Sequence, residues 1–115
     1  MKGLVYEIEM PFLDLLDVEA RVLIPGFHVK FVHSSTMTFA HWDIESGAVL
    51  PEHSHPHEQV CSVIEGEFEL TIEGESCVLK AGGIGVIPSN AVHSGKAVTR
   101  CHVIDVFHPI REDYR

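Results

Sequence analysis

The chain has 115 residues and a formal net charge of -9 with its histidines neutral. That length builds one core and not two, and a hydrophobic share of 45% places the chain among folded globular domains, not disordered ones. The acidity disfavours nucleic acid, whose phosphates need Lys and Arg, and no apolar run approaches the ~20 residues of a membrane helix.

Residues 1–20 hold one apolar cluster, Phe12-Leu13 and Leu15-Leu16, broken by Asp14 and Asp17. This predicts an edge segment or one helical turn. The first nine residues carry acids where a signal peptide needs an apolar stretch. Cys61, Cys77 and Cys101 are odd in number and far apart. Together these predict reduced thiols in a cytoplasmic protein. From Arg21 onward, β-rich runs cover about 21–24, 27–33, 36–45, 59–65, 67–73, 76–80, 84–88 and 99–107. Gly26, Ser34-Ser35, Ser46-Gly47, Glu65-Gly66, Gly74-Glu75, Gly82-Gly83 and Ser94-Gly95 punctuate them. Short, closely spaced strands without a long helical pattern predict an all-β sandwich or barrel. The expected organisation is one domain: an edge segment at about 1–20, a barrel at about 21–107 and a tail at 108–115. Phe68, Leu70 and Ile72 alternate with acids and Thr71, which marks a strand with one wet face. The run from Gln59 is apolar on both faces, and Val60, Ile64, Ile104 and Val106 would point outward. A homodimer would cover them, and so would a packed N-terminal segment.

His53, His55 and Gln59 lie in Gly47-Ala-Val-Leu-Pro-Glu-His53-Ser-His55-Pro-His-Glu-Gln59, closed by Gly66. His93 ends Gly82-Gly-Ile-Gly-Val-Ile-Pro88-Ser-Asn-Ala-Val-His93. Histidines at i and i+2 on an extended strand share a face. A solvated histidine-rich loop would also contain His-x-His. Imidazoles meeting an amide oxygen in one pocket make a ligand set for a divalent transition ion, with Ni, Zn, Fe, Mn and Co all compatible. On the last predicted strand Asp105 and Phe107 share a face with Cys101 and Val103, and Arg111 follows a bend at Pro109. Arg suits a carboxylate, which its planar fork grips in bidentate fashion. Asp near a cation can act as general acid or base. A salt-bridged C-terminal tail is the plainer account of the same residues.

The two glycine-and-histidine blocks resemble the two motifs of the cupin family, over about Arg21 to Phe107. The resemblance implies a double-stranded β-helix. Three positions depart from the family pattern: Gln59 where Glu is usual, Asn90 where glycine is common after Pro88, and Ala97 where asparagine is frequent. Asn90 is a mild change, because asparagine tolerates left-handed backbone. More narrowly, His-Ser-His-Pro-His-Glu-Gln, a later His and Asp-x-Phe-x-Pro-x-Arg resemble the small cupins of pectin and alginate breakdown, which linearise unsaturated uronates. That likeness implies a metal held by His53, His55, Gln59 and His93. It also implies a site for a small anionic sugar, lined by Asp105, Phe107 and Arg111. A neutral Gln leaves the ion more positive, which suits Lewis-acid work on an anionic substrate.

Glu58 is the rival to Gln59 as fourth ligand. Trp42 reads as a core or pocket-wall aromatic, with sugar stacking as the sharper alternative. His57 flanks the ligand turn. His28, His33, His41, His102 and His108 read as polar residues of the surface or of a dimer contact. Two other functions are compatible with the barrel: an iron-dependent dioxygenase, and a metal- or sugar-binding module without catalysis.

Overall fold

The structure, a computed structural model, describes residues 11–115. What the sequence suggests for residues 1–10 lies outside it. The apolar cluster forms one 3-10 turn, Leu15–Asp17, whose N-terminus is capped by Asp14: its carboxylate accepts the Leu16 N–H at 2.9 Å. Of the two forms expected for this segment, the helical turn is the one seen. It buries little, for Phe12 and Leu16 are 90% and 85% exposed.

Ten strands follow: β1 (Arg21–Ile24), β2 (Phe27–His33), β3 (Thr38–Ile44), β4 (Val49–His53), β5 (Glu58–Glu65), β6 (Phe68–Ile72), β7 (Glu75–Leu79), β8 (Ile84–Ile87), β9 (His93–Ala97) and β10 (Cys101–His108). They make a six-stranded sheet, ordered β1-β2-β3-β10-β5-β8, and a four-stranded sheet, ordered β4-β9-β6-β7. All pairings are antiparallel. Strict alternation of buried and half-exposed residues along β3 and β10 faces one side of each strand to the interior. Phe27, Val29, Trp42, Ile44, Val63 and Val103 from one sheet meet Phe68, Leu70 and Leu79 from the other.

Two strands were absent from the sequence expectation, β4 and β9. β4 contains Pro51 and has only Leu50 and His53 even half-buried; it is the edge of its sheet, where proline is tolerated. β9 reads His-Ser-Gly-Lys-Ala, with no β-branched residue. Ser94-Gly95, expected to mark a turn, sits inside this strand. The reason is close approach: a Cβ on Gly95 would lie 2.3 Å from the Phe68 ring. Elsewhere the turn signals hold, with positive φ at Gly26, Gly66, Gly74 and Gly82 and at Asn90, where φ is 65°. On the outer face of the six-stranded sheet, Val60, Ile104 and Val106 are half-buried and Ile64 is exposed.

Candidate functional site

The last residue of β4 and the first of β9 are directly paired, His53 against His93. His55 lies past the end of β4, not on the strand as its spacing suggested, and the chain there folds its ring inward. The rings come together regardless: His53 and His93 are 4.2 Å apart by centroid, His55 and His93 4.9 Å. One nitrogen from each of the three lies within 4.8 Å of the others. The free nitrogen of each ring is fixed by its other one. Nδ1 of His53 donates to the Pro51 carbonyl at 2.9 Å, Nδ1 of His55 to that of His57 at 3.0 Å, and Nδ1 of His93 to that of Ala91 at 2.9 Å. A carbonyl only accepts, so each Nδ1 carries the proton and each Nε2 keeps a lone pair.

Burial favours the neutral rings. It pulls the His55 imidazole down to about 4, with the Arg111 and His93 charges acting in the same direction, and it lowers His93 as well. His93 Nε2 is buried without a hydrogen-bond partner among the described residues. Gln59 Oε1 lies 3.1 Å from His55 Nε2. These are two acceptors facing one another, an arrangement that a bridging cation resolves. The donor set therefore fits a divalent ion: three neutral imidazoles and one amide oxygen. Glu58 is exposed and begins β5 on the face opposite Gln59, so it stands apart from this group.

Asp105 is held on the same face of the six-stranded sheet, opposite Cys61 on β5 and Ala40 on β3. It is 8% exposed. Trp42 Nε1 donates to its Oδ2 at 3.0 Å, and Oδ1 has no hydrogen-bond partner among the described residues. Burial lifts the carboxyl to about 6, against the pull of the Gln59, Cys61 and Trp42 side chains and the Arg111 charge. The sequence reading of Trp42 as a pocket-wall aromatic was right as far as it went. Its bond to Asp105 joins positions 63 apart and had no local signal.

Phe107 pairs with Gln59 and Thr38 and meets the His55 ring edge-on at 5.7 Å. Arg111 is buried, its guanidinium 4.8 Å from the Phe107 ring and 4.0 Å from the Tyr114 ring. Its backbone N–H donates to Thr38 Oγ1 at 2.9 Å. The guanidinium is already engaged: Nε and Nη2 donate to the two oxygens of Asp113 at 3.0 and 2.7 Å. Both sequence readings of the tail therefore hold together, an arginine at the pocket and a salt-bridged C-terminal segment. Sequence reasoning assigned nothing to Asp113 or Tyr114. The cavity lined by His53, His55, Gln59, His93, Asp105, Phe107, Arg111 and Tyr114 measures about 50 Å³.

A family model described as "Cupin domain" matches residues 40–107, more than half of the chain. The chain is a cupin. Over 70 residues this cupin is 37% identical to the pectin degradation protein KdgF of Dickeya dadantii (strain 3937), a stretch covering 59% of this chain and 64% of that protein. The match thus spans under two thirds of that relative's length. The structure of KdgF from Halomonas sp. superposes with a TM-score of 0.85 at 30% identity, over 90% of this cupin and 97% of that chain. An RmlC-like cupin from Shewanella frigidimarina NCIMB 400 gives a TM-score of 0.86 at 28% identity, over 90% and 95% of the two chains. No helix among the described residues is long and apolar enough to cross a membrane.

Proposed function

We propose that this cupin linearises cyclic 4,5-unsaturated monouronates released in pectin or alginate breakdown, as a metal-dependent cytoplasmic enzyme. The observation that carries the reading is the placement of Asp105 Oδ1, a buried carboxylate oxygen with no hydrogen-bond partner among the described residues, beside three converging imidazoles and the Arg111 guanidinium in one cavity. A relative named for pectin degradation favours it over the dioxygenase and the binding module.

The reaction is an isomerisation and needs no redox partner. The substrate is an enol ether closed through a hemiacetal and bearing a carboxylate on its alkene. The anomeric hydroxyl loses its proton, the bond from the anomeric carbon to the ring oxygen breaks, and an aldehyde and an enolate result. The enolate then takes that proton on carbon and becomes a ketone. An ion held by His53, His55, Gln59 and His93 supplies Lewis-acid polarisation of the ring or hemiacetal oxygen. Asp105 moves the proton from the hydroxyl to the carbon, and a carboxyl of pKa about 6 can both accept and return it near neutral pH. Arg111 holds the substrate carboxylate, and Phe107 forms the wall between that arginine and His55.

The test follows loss of the ring alkene by proton NMR with and without metal-loaded protein, because the ring also opens unaided. The expected result is acceleration on galacturonate- or mannuronate-derived substrate. Asp105→Asn should lower turnover about 10²–10⁴-fold with metal content intact by elemental analysis, whereas His55→Ala should lose the metal. No acceleration on either substrate would sink the reading.

A further inference from the structure

A cavity of about 50 Å³ holds about four water molecules, whereas sites for organic ligands run to roughly 300 Å³ or more. The cavity reaches solvent but is smaller than a uronate needs, and some wall must yield for one to enter. Most of the wall is strand, pinned by ladders of backbone hydrogen bonds on β3, β5 and β10. The C-terminal 3-10 turn Glu112–Tyr114 is one of the lining segments outside the strands, as His55 is, and its own N–H groups bond within the turn and its flanks. It is held to the barrel by side chains. Arg21 Nη2 donates to the Tyr114 carbonyl at 2.8 Å. The Tyr114 ring stacks on Phe31 at 4.5 Å. Asp113 takes the side of the Arg111 fork formed by Nε and Nη2.

That last contact has the chemistry of the expected ligand. A carboxylate gripped in bidentate fashion by a guanidinium is what a uronate would offer. Asp113 is anchored weakly compared with its partner: its side chain is 56% exposed, that of Arg111 7%. Swinging Asp113 into water therefore leaves it solvated. Swinging Arg111 out would strip it from two aromatic rings. The cost of opening without replacement is a buried guanidinium without its anion, which only an anionic ligand can restore.

We propose that Asp113 is a stand-in for the substrate carboxylate. It latches the C-terminal turn over the site and is displaced by the carboxylate of the incoming sugar, which a ligand without one cannot replace on the guanidinium. The inference rests on the assignment of Arg111 to substrate binding. A ligand that must first displace an internal competitor binds more weakly by the fraction of time the latch is open. Removing the latch should restore that loss.

Metal-loaded wild-type protein, Asp113→Asn and Glu112→Gln are compared by calorimetric titration with galacturonate, a saturated uronate that does not react. Glu112 pairs with Arg115, so its variant removes the same charge from the same turn without touching Arg111. Asp113→Asn should bind galacturonate about three- to tenfold more tightly, as expected for a latch closed between roughly two thirds and nine tenths of the time, and KM for the unsaturated uronate should fall by a similar factor. Glu112→Gln should shift binding less than about twofold. Unchanged or weaker binding by Asp113→Asn would overturn the latch and make Asp113 a residue that merely orients Arg111. Wild-type protein that neither binds galacturonate nor opens unsaturated uronates would overturn the functional reading, and the latch with it.

Discussion

Burial acts on Asp105 and His55 in opposite senses, and the two leave opposite marks on the stability of the metal-free protein. Asp105 has a folded pKa of about 6 against an ordinary 3.8. Between those values the folded chain holds a proton that the unfolded chain has lost, so stability falls as pH rises through the window. His55 goes the other way, folded at about 4 against 6.5. Its contribution is present above 6.5 and is lost as pH falls toward 4. Asp105→Asn removes the first effect and keeps an acceptor for Trp42. Metal-free Asp105→Asn should melt above wild type at pH 7.5, with a gain on the order of 3 kcal/mol from the 2.2-unit difference, at 1.36 kcal/mol per unit. The gain should vanish near pH 4. Thermal melts across that range check it, and a gap independent of pH would show an ordinary Asp105. Gln59 was legible among these residues because its distance from Gly66 is a local count. The bond from Trp42 to Asp105 and the part played by Asp113 were not. The first arises through the pairing of distant strands, and Asp113 looks in sequence like any acid in a polar tail.

Strands that follow the alternation rule were found with their ends within about two residues, and those that break it were missed. β4 and β9 break it because they form the mouth: imidazoles, Pro51 and Gly95 occupy places where apolar residues would have announced a strand. Three of the candidate site residues thus lie on or just after the elements hardest to read, and the motif spacing found them where periodicity could not. Gly66 shows what such spacing encodes. Its φ is 81°, and a Cβ there would lie 2.2 Å from the Arg100 carbonyl and 2.7 Å from the Cys101 Cβ. The β5–β6 turn is thereby pressed against the start of β10. Gly66→Ala adds backbone strain to that clash, and should cost more than about 1 kcal/mol, or about 4 °C or more in melting temperature. A melting temperature within a degree of wild type would mean that the turn can move aside.

At the scale of the whole molecule, the cadence of short runs and turns was enough to give two packed antiparallel sheets. What covers their outer faces was not legible, because the same apolar residues serve an intramolecular or an intermolecular neighbour. Ile64 at 48% exposed, with Ile84 and Val86 at 60% and 59% on the neighbouring β8, extends the apolar face formed by Val60, Ile104 and Val106. We propose a homodimer contact on this face, since contiguous apolar surface of this kind is uncommon on monomers, and the packed N-terminal segment is the alternative. Light scattering at micromolar concentration should give twice the chain mass of 12.8 kDa. A mass equal to one chain would rule the dimer out.

The pairing of His53 with His93 across β4 and β9, with Gln59 facing them from β5, has a mechanical side. Two of the candidate ligands belong to one sheet and one to the other. At the opposite end Phe27, Ile44, Val63 and Val103 of one sheet pack against Phe68, Leu70 and Leu79 of the other. At the mouth that adhesive is replaced by imidazole, amide and carboxylate groups, which cling to water as readily as to one another. An ion bound there would serve as a rivet between the two layers at the end where apolar packing is thinnest. Its removal would let the sandwich gape from one end while the other stayed shut.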